Sequence, residues 1–106
     1  MARERITARE LGSMPDETVV RIDIRKDPDE RQIPGSIRGD GAALENAEDL
    51  PFTRDREVVL YCGSGNSCSR VAAKLCERGY NAVALEGGYK AWLEAGLPTE
   101  PRPSVG

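Results

Sequence analysis

The fold prediction begins from residues 58–70, VVLYCGSGNSCSR. Its first part, Val58 to Tyr61, is an apolar run with β-branched residues, which predicts a buried strand that ends at Cys62. Small and polar residues then lead into a helical pattern. A strand that turns tightly into a helix N-terminus places its last side chain near backbone N–H groups, which favour an anion and lower the pKa of a thiol. We therefore predict a thiolate at Cys62 in an anion-binding loop.

The loop begins at the glycine after Cys62 and ends where the helical pattern starts. Gly63 and Gly65 are expected to supply the unusual backbone angles that aim the N–H groups at one point. A structural alternative is that Cys62 is only a buried residue at a strand end, as free cysteines often are. The predicted anion-binding loop consists of Gly63, Ser64, Gly65, Asn66, Ser67 and Cys68.

The composition indicates one globular domain, which we place at residues 1–98, followed by a frayed tail at 99–106. The net charge is −3, and there is no basic stripe to bind nucleic acid and no basic amphipathic face to bind a membrane. The charged start leads to no apolar segment, so we expect no signal peptide. An odd number of cysteines, three, argues against a disulfide framework and predicts a cytoplasmic location. The sequence does not predict the oligomeric state.

The chain contains no histidine. This excludes catalysis by Ser-His-Asp or Cys-His groups and any histidine general base. Three cysteines without a C-x-x-C pair also make a zinc site improbable, and no motif calls for a cofactor. A nucleophilic cysteine in this chain must therefore be activated by backbone dipoles and cations alone.

Strand patterns alternate with helix patterns along the chain, which predicts an α/β fold with a small, mostly parallel sheet and helices on both faces. Such sheets bind ligands at the carboxyl ends of their strands, where Cys62 and Arg25 are both expected. A capping box at Thr7 and Glu10 opens the first helix. Strands are predicted at 18–24, 57–61 and 82–85, a brief strand after 33–37, helices at 7–11, 68–79 and 89–95, and a weaker helix at 42–46.

Three stretches follow one another in the order of a family signature. They are DIR at 23–25 with IPGSI at 33–37, YC at 61–62 with Gly65 and Asn66, and EGGYKAW at 86–92 with GLP at 96–98. Together they span nearly the whole chain, and they resemble the single-domain rhodaneses, a family of sulfurtransferases. The resemblance implies the rhodanese fold and a catalytic cysteine at Cys62.

Three positions depart from the family pattern. Ser67 stands where the family usually has a loop arginine, and Cys68 stands where it usually has serine. The loss of that arginine removes a fork that holds an anionic donor such as thiosulfate. Arg70, one helical turn further on, either reaches back to the loop or points to solvent. Gln32 replaces a histidine, which is expected to cost only a structural hydrogen bond.

The resemblance implies that Cys62 takes a sulfane sulfur from thiosulfate or another persulfide donor, holds it as a persulfide, and passes it to cyanide or a thiol. A thiol reductant protein is a further expected partner. The alternative is a rhodanese-fold binding or regulatory module that lost catalysis together with the loop arginine. A cysteine phosphatase also places its nucleophilic cysteine in an anion-binding loop, but it needs an arginine six residues after that cysteine. In this chain that position is Cys68.

The other cysteines allow separate interpretations. Cys68 lies near the predicted helix start, where its pKa should fall, and it either resolves a Cys62 persulfide through a disulfide or simply replaces a small serine. Loop geometry decides whether the two sulfur atoms are close enough for a disulfide. Cys76 lies on the apolar stripe of the helix and is predicted to be core.

Two charged residues and one aromatic residue complete the set. Asp23 and Arg25 are expected to pair near the carboxyl edge of the sheet, where they either brace the loop or form an ordinary surface ion pair. Trp92 is predicted to pack in the core with a hydrogen-bond partner for its indole N–H.

Overall fold

The computed structural model describes residues 5–14, 18–25, 30–39, 44, 55–63 and 66–101, with only the backbone described at 66 and 67. The weak helix predicted at 42–46 lies almost entirely outside the described residues. The helices and strands are β1 Arg5–Ile6, α1 Ala8–Gly12, β2 Val19–Asp23, β3 Arg31–Gln32, β4 Ile37–Arg38, β5 Glu57–Tyr61, α2 Asn66–Glu77, β6 Asn81–Leu85, α3 Gly88–Glu94 and β7 Glu100–Pro101. No helix among these residues is long and apolar enough to cross a membrane.

The main sheet has five parallel strands in the order β1-β6-β5-β2-β4. Strands β2 and β5 pair along their whole length, from Val19 opposite Glu57 to Asp23 opposite Tyr61. Helix α2 packs on one face, where Leu75 meets Leu60 in one buried cluster. Helices α1 and α3 cover the other face in a second buried cluster. The predicted α/β fold with a mostly parallel sheet and helices on both faces is confirmed.

Alternation along β5 explains why this strand reads as a continuous apolar run. Val58 and Leu60 face the α2 side, whereas Val59 and Tyr61 face the side of α1 and α3, and all four are buried. A strand covered by helices on both faces has no solvent side to carry polar residues. Cys62 continues the alternation and faces α2.

The short edge strand β1 was not predicted, because its two residues lie in the charged start of the chain and show no apolar run. Ile6 is buried and pairs with Leu85 of β6. Helix α1 follows at once, and its predicted capping box is present. The Thr7 hydroxyl accepts from the Glu10 N–H at 3.2 Å, and the Thr7 N–H donates to the Glu10 carboxylate at 3.4 Å.

The tail and Cys76 differ from the sequence prediction. Fraying from residue 99 is wrong for the first part of the tail, because β7 pairs antiparallel with β3 and the Arg31 side chain binds Thr99. Residues 102–106 lie outside the described residues. Cys76 is exposed rather than core, because it lies at the margin of the α2 stripe, where its thiol donates to the Ala82 carbonyl at 3.0 Å.

The strand order reverses between β2 and β5. From β2 the chain adds β4 on one side, and from β5 it adds β6 on the other. Open parallel sheets bind ligands in the crevice outside the carboxyl ends of the strands at such a reversal. The fold therefore singles out the residues that directly follow β2 and β5 as the candidate site.

Alanine substitutions at two glycines distinguish the effect of a positive φ angle on stability from the effect of a steric clash. Gly87, the N-cap of α3, has φ 74°, and a Cβ atom there lies 2.6 Å from the Cβ of Ala91. Gly96 has nearly the same φ, 72°, but a Cβ atom there meets nothing within 4 Å. We expect Gly87→Ala to lower the free energy of unfolding by about 2–4 kcal/mol and Gly96→Ala by about 1–2 kcal/mol. Urea denaturation of both variants measures the difference, and equal losses contradict the clash.

Candidate active site

Cys62 directly follows β5, at the carboxyl end where the strand order reverses. Its side chain is only 6% exposed and belongs to the buried cluster under α2. The neighbouring strand stays paired to this point, because the Ile24 N–H donates to the Tyr61 carbonyl at 2.9 Å. The structure thus places the thiol and the residues after β2 side by side, as the sequence predicted.

The N-terminus of α3 fixes the first part of the anion-binding loop. The Tyr89 N–H donates to the Cys62 carbonyl at 2.8 Å, and the Lys90 N–H donates to the Gly63 carbonyl at 3.2 Å. These bonds satisfy helix N–H groups that have no partner within the helix, and Gly87 offers no side chain to do so. In a trans peptide the N–H points opposite to the C=O, so the Gly63 N–H is directed away from α3.

The prediction that Gly63 needs an unusual backbone angle is wrong. Its φ is not in the left-handed region, and a Cβ atom there meets nothing within 4 Å. The carbonyl bonds to α3, rather than a glycine-only conformation, hold this part of the loop. Ser64 and Gly65 lie outside the described residues, and Asn66 and Ser67 are described only as the backbone at the start of α2. The convergence of loop N–H groups on Cys62 therefore stays a prediction.

Cys68 lies in the first turn of α2, and its sulfur is 3.5 Å from the sulfur of Cys62, within hydrogen-bond contact. Cys68 is completely buried, and the Leu85 carbonyl lies 3.9 Å from its sulfur. The first turn of α2 carries no acidic residue to oppose an anion. The structure brings together the two thiols that the sequence placed six residues apart.

The prediction that the pKa of Cys68 falls at the helix start is wrong. The hydrogen bond with Cys62 and burial both raise the pKa of Cys68 well above its ordinary value. A second negative charge beside a Cys62 thiolate is unfavourable in this dry environment. Contact with Cys62 and burial thus both favour the neutral thiol of Cys68.

Asp23 and Arg25 form a buried ion pair, not an ordinary surface one. Asp23 is 0% exposed and Arg25 is 6% exposed. The guanidinium donates to the carboxylate from Nε at 3.0 Å and from Nη2 at 2.8 Å, and the Arg25 backbone N–H donates to it at 3.0 Å. Arg38 donates to the same carboxylate at 3.3 Å, and Arg25 also donates to the Arg31 carbonyl at 2.7 Å.

This ion pair is connected to the loop through an aromatic ring. The Arg25 guanidinium lies 4.1 Å from the centre of the Tyr89 ring, in cation–π contact, and 5.7 Å from that of Tyr61. Tyr89 is the residue whose N–H binds the Cys62 carbonyl. The arrangement gives the predicted bracing role of Asp23 and Arg25 a physical route to the loop.

Residues 7–95 match the model of the rhodanese-like domain. The chain belongs to the rhodanese-like family. It is 36% identical over 80 residues to a putative sulfurtransferase, YtwF, of Bacillus subtilis, which covers 73% of this chain and 76% of that protein. It is 33% identical over 90 residues to a tRNA sulfurtransferase of Desulfurococcus amylolyticus, which covers 80% of this chain but 17% of that protein.

The structure also resembles a rhodanese-related protein from Thermoplasma volcanium, with a TM-score of 0.79 and 26% identity over 92% of this chain and 98% of that one. The matched segments span less than half of the length of the first curated relatives, between 17% and 43%. The resemblance predicted from three sequence stretches is confirmed at the level of the family.

Within this rhodanese-like domain, Tyr61 and Gln32 are polar links that sequence reasoning left without a role in the site. The Tyr61 hydroxyl donates to the Ser36 hydroxyl at 2.8 Å and accepts from the Ile33 N–H at 3.3 Å. The Gln32 side chain donates to the Ser36 carbonyl at 3.2 Å and to the Glu100 carboxylate at 2.8 Å. The residue that replaces the family histidine therefore ties the turn at 33–36 to β7. In the sequence, the apolar-flanked turn at 33–37 and the family position that Gln32 occupies both pointed to this region.

Two further predicted residues occupy clear positions in the rhodanese-like domain. Arg70 is exposed on α2, and its role in the site stays a prediction. Trp92 is buried under α1, and its indole N–H donates to the Pro98 carbonyl at 2.8 Å. The predicted core position of Trp92 and its hydrogen-bond partner are confirmed.

The buried hydroxyl of Tyr61 makes the domain sensitive to alkaline pH. Burial is the main cause that raises the pKa of Tyr61 to about 12, and the neighbouring Asp23 charge adds to it. Between pH 10 and pH 12 the unfolded chain has lost this proton while the folded chain keeps it, so the free energy of unfolding falls as the pH rises. Two pKa units correspond to about 3 kcal/mol. Urea denaturation between pH 10 and pH 12 should show this fall in the free energy of unfolding of the wild type and a smaller fall for Tyr61→Phe. Parallel pH profiles of the two proteins contradict a raised pKa of Tyr61.

Proposed function

We propose that this rhodanese-like domain is a sulfurtransferase that carries a sulfane sulfur as a persulfide on Cys62. The observation that carries the proposal is the position of the Cys62 thiol at the carboxyl ends of β2 and β5, where the strand order reverses, in a chain of this family. Relatives named as sulfurtransferases support the same chemistry. The donor is thiosulfate or another small persulfide donor, and the acceptor is cyanide or a thiol.

The chemistry needs only a nucleophilic sulfur and a site that tolerates its charge. The Cys62 thiolate attacks the outer sulfur of thiosulfate, the S–S bond breaks, and sulfite leaves with the bonding electron pair. The product is a Cys62 persulfide anion. Cyanide then attacks the outer sulfur and leaves as thiocyanate, which restores the Cys62 thiolate. No proton transfer by histidine is needed, which fits a chain without that residue.

Local groups favour the anionic states of Cys62. The α2 N-terminus carries the positive end of a helix dipole, and the Cys68 sulfur is in hydrogen-bond contact with Cys62 at 3.5 Å. The loop N–H groups are proposed to add to these two. All three cysteines are free thiols, and the reaction requires Cys62 in that state. We therefore propose a reducing compartment such as the cytoplasm as the setting.

The departure at Ser67 favours a donor other than thiosulfate. Without the usual loop arginine, the site lacks a guanidinium that can donate two parallel hydrogen bonds to a dianion such as thiosulfate. We expect weak activity with thiosulfate and faster loading from inorganic polysulfide or glutathione persulfide, which carry no sulfonate-type group for an arginine to hold.

The test exposes the reduced full-length chain to thiosulfate, inorganic polysulfide and glutathione persulfide in turn. Intact-mass and peptide analysis of samples quenched soon after mixing should find one added sulfur on Cys62 with at least one donor, and cyanide added at that stage should release thiocyanate. If no donor loads Cys62, the sulfurtransferase proposal is wrong and a binding or regulatory module is the better interpretation.

A further inference from the structure

We propose that Cys68 is a resolving thiol that discharges the Cys62 persulfide as sulfide and closes a Cys62–Cys68 disulfide. The inference rests on the proposed function, because it requires a persulfide on Cys62. It assigns this protein a second activity: the reductive release of sulfane sulfur when no external acceptor is bound. The juxtaposition that carries it is the 3.5 Å distance between the two sulfur atoms.

The distance suits a direct attack. Reacting atoms held at about 3–3.5 Å are in a near-attack arrangement, and disulfide closure requires the two sulfur atoms to approach by only about 1.5 Å more. Both cysteines lie at element ends: Cys62 follows β5, and Cys68 is in the first turn of α2. Small movements at these ends are sufficient to close the bond without disturbing the sheet.

Burial restricts what Cys68 can react with. Its side chain is 0% exposed, so donors, acceptors and protein partners in solution cannot reach its sulfur. The sulfur of Cys62 is the thiol in contact with it in the described structure. A buried cysteine in this position can act as a nucleophile, and the target within its reach is the sulfur of Cys62. A serine there offers a hydrogen bond to Cys62 but cannot form a disulfide.

The reaction balances without an added oxidant. Cys62–S–S⁻ reacts with Cys68–SH to give Cys62–S–S–Cys68 and HS⁻. A bond forms between the two cysteine sulfur atoms, and the bond from Cys62 to the outer sulfur breaks. The Cys68 proton passes to the anionic outer sulfur, and the Cys68 thiolate so formed attacks the Cys62 sulfur. The outer sulfur then leaves as HS⁻ with the bonding electron pair, so it is reduced to sulfide while the two cysteine sulfurs are oxidised to the disulfide.

A dithiol reductant must reopen the disulfide to complete the cycle. Its thiolate attacks the Cys62 sulfur, because Cys62 is the more exposed member of the pair and borders the exposed Gly63. The Cys68 sulfur leaves and takes up a proton. The second thiol of the reductant then releases Cys62 and closes the reductant's own disulfide. A dithiol protein is therefore the partner class expected at this site.

The test loads the reduced full-length protein with glutathione persulfide under anaerobic conditions, with no acceptor thiol added. In the wild type we expect about one equivalent of sulfide and a Cys62–Cys68 disulfide that peptide mapping identifies. Cys68→Ser should keep the persulfide on Cys62 and release sulfide at least about tenfold more slowly. Cys76→Ser is the matched control, because this thiol is exposed on the same helix and does not contact Cys62; it should behave as the wild type.

The outcomes separate this inference from the proposed function. If Cys68→Ser takes up sulfur but the wild type keeps an equally stable persulfide, the resolving role is wrong and the sulfurtransferase proposal stands. If neither protein takes up sulfur from glutathione persulfide, inorganic polysulfide or thiosulfate, both are wrong. A glutathione adduct on Cys62 in Cys68→Ser also contradicts the inference, because the sulfide then comes from the donor. Direct mapping of the disulfide in the wild type keeps the test decisive if Cys68→Ser does not fold.

Discussion

Replacing Cys62 with serine is expected to lower sulfur uptake and thiocyanate formation by at least about a thousandfold. A serine hydroxyl is not ionised near neutral pH and cannot hold a sulfane sulfur as a persulfide. No histidine is present to activate the hydroxyl in its place. The measurement is the rate of thiocyanate formation with the best donor, together with the mass of the protein before cyanide is added.

The fold of this variant should remain intact, so the loss of activity reports on chemistry. Serine is close to cysteine in size, and the Cys62 carbonyl keeps its bond to the Tyr89 N–H. The matched control is Cys76→Ser, which removes an exposed thiol and should retain full sulfur uptake. If Cys62→Ser takes up sulfur and Cys76→Ser does not, Cys62 is not the sulfur carrier.

Asp23→Asn is expected to lower the free energy of unfolding by about 3 kcal/mol. The substitution keeps the shape of the side chain but leaves the Arg25 guanidinium, 6% exposed, without the carboxylate that compensates its charge. A buried unpaired charge costs more than the ion pair contributes, which is why removing one partner is so unfavourable. The exposed Arg38 retains access to solvent and contributes less to the loss.

Glu77→Gln is the matched control for Asp23→Asn. Glu77 pairs with Lys74 at 3.9 Å on the exposed surface of α2, and such pairs contribute about 0–1 kcal/mol. Urea denaturation of both variants provides the comparison. Equal stability of the two variants means that the Asp23–Arg25 pair does not hold the carboxyl edge of the sheet. A loss of sulfur transfer in Asp23→Asn at temperatures where it is fully folded indicates that the pair also positions the loop.

The sequence predicted the long elements because their patterns are local. The apolar runs at 58–61 and 82–85 and the helical stripe after Cys68 follow directly from alternation and helical periodicity. The strands β1, β3 and β7 have two residues each, and their existence depends on pairing with distant segments. No local pattern of two residues separates such a strand from a loop, so β1 and the ordered start of the tail were missed.

The predictions for Cys76 and Cys68 failed for a related reason. Helical periodicity placed Cys76 on the apolar stripe, but this residue is exposed, and its thiol donates to the Ala82 carbonyl instead. The rule that a helix N-terminus lowers a thiol pKa holds for an isolated thiol. It does not hold for Cys68, because a second thiol lies in contact and water is excluded.

Residue identity and local order were sufficient to predict the α/β fold class, the family and the cysteine that follows β5, and to exclude a histidine that assists it. The surroundings of Cys62 depend instead on tertiary packing. Segments far apart in the chain bring the α3 N–H groups to its carbonyl, the Asp23–Arg25 pair to the ring of Tyr89, and the buried Cys68 sulfur to 3.5 Å from its own. For residues 58–70, the sequence predicted a reactive thiol at Cys62 and a second cysteine six residues later. The packing of α2 against the end of β5 brings these two thiols into contact.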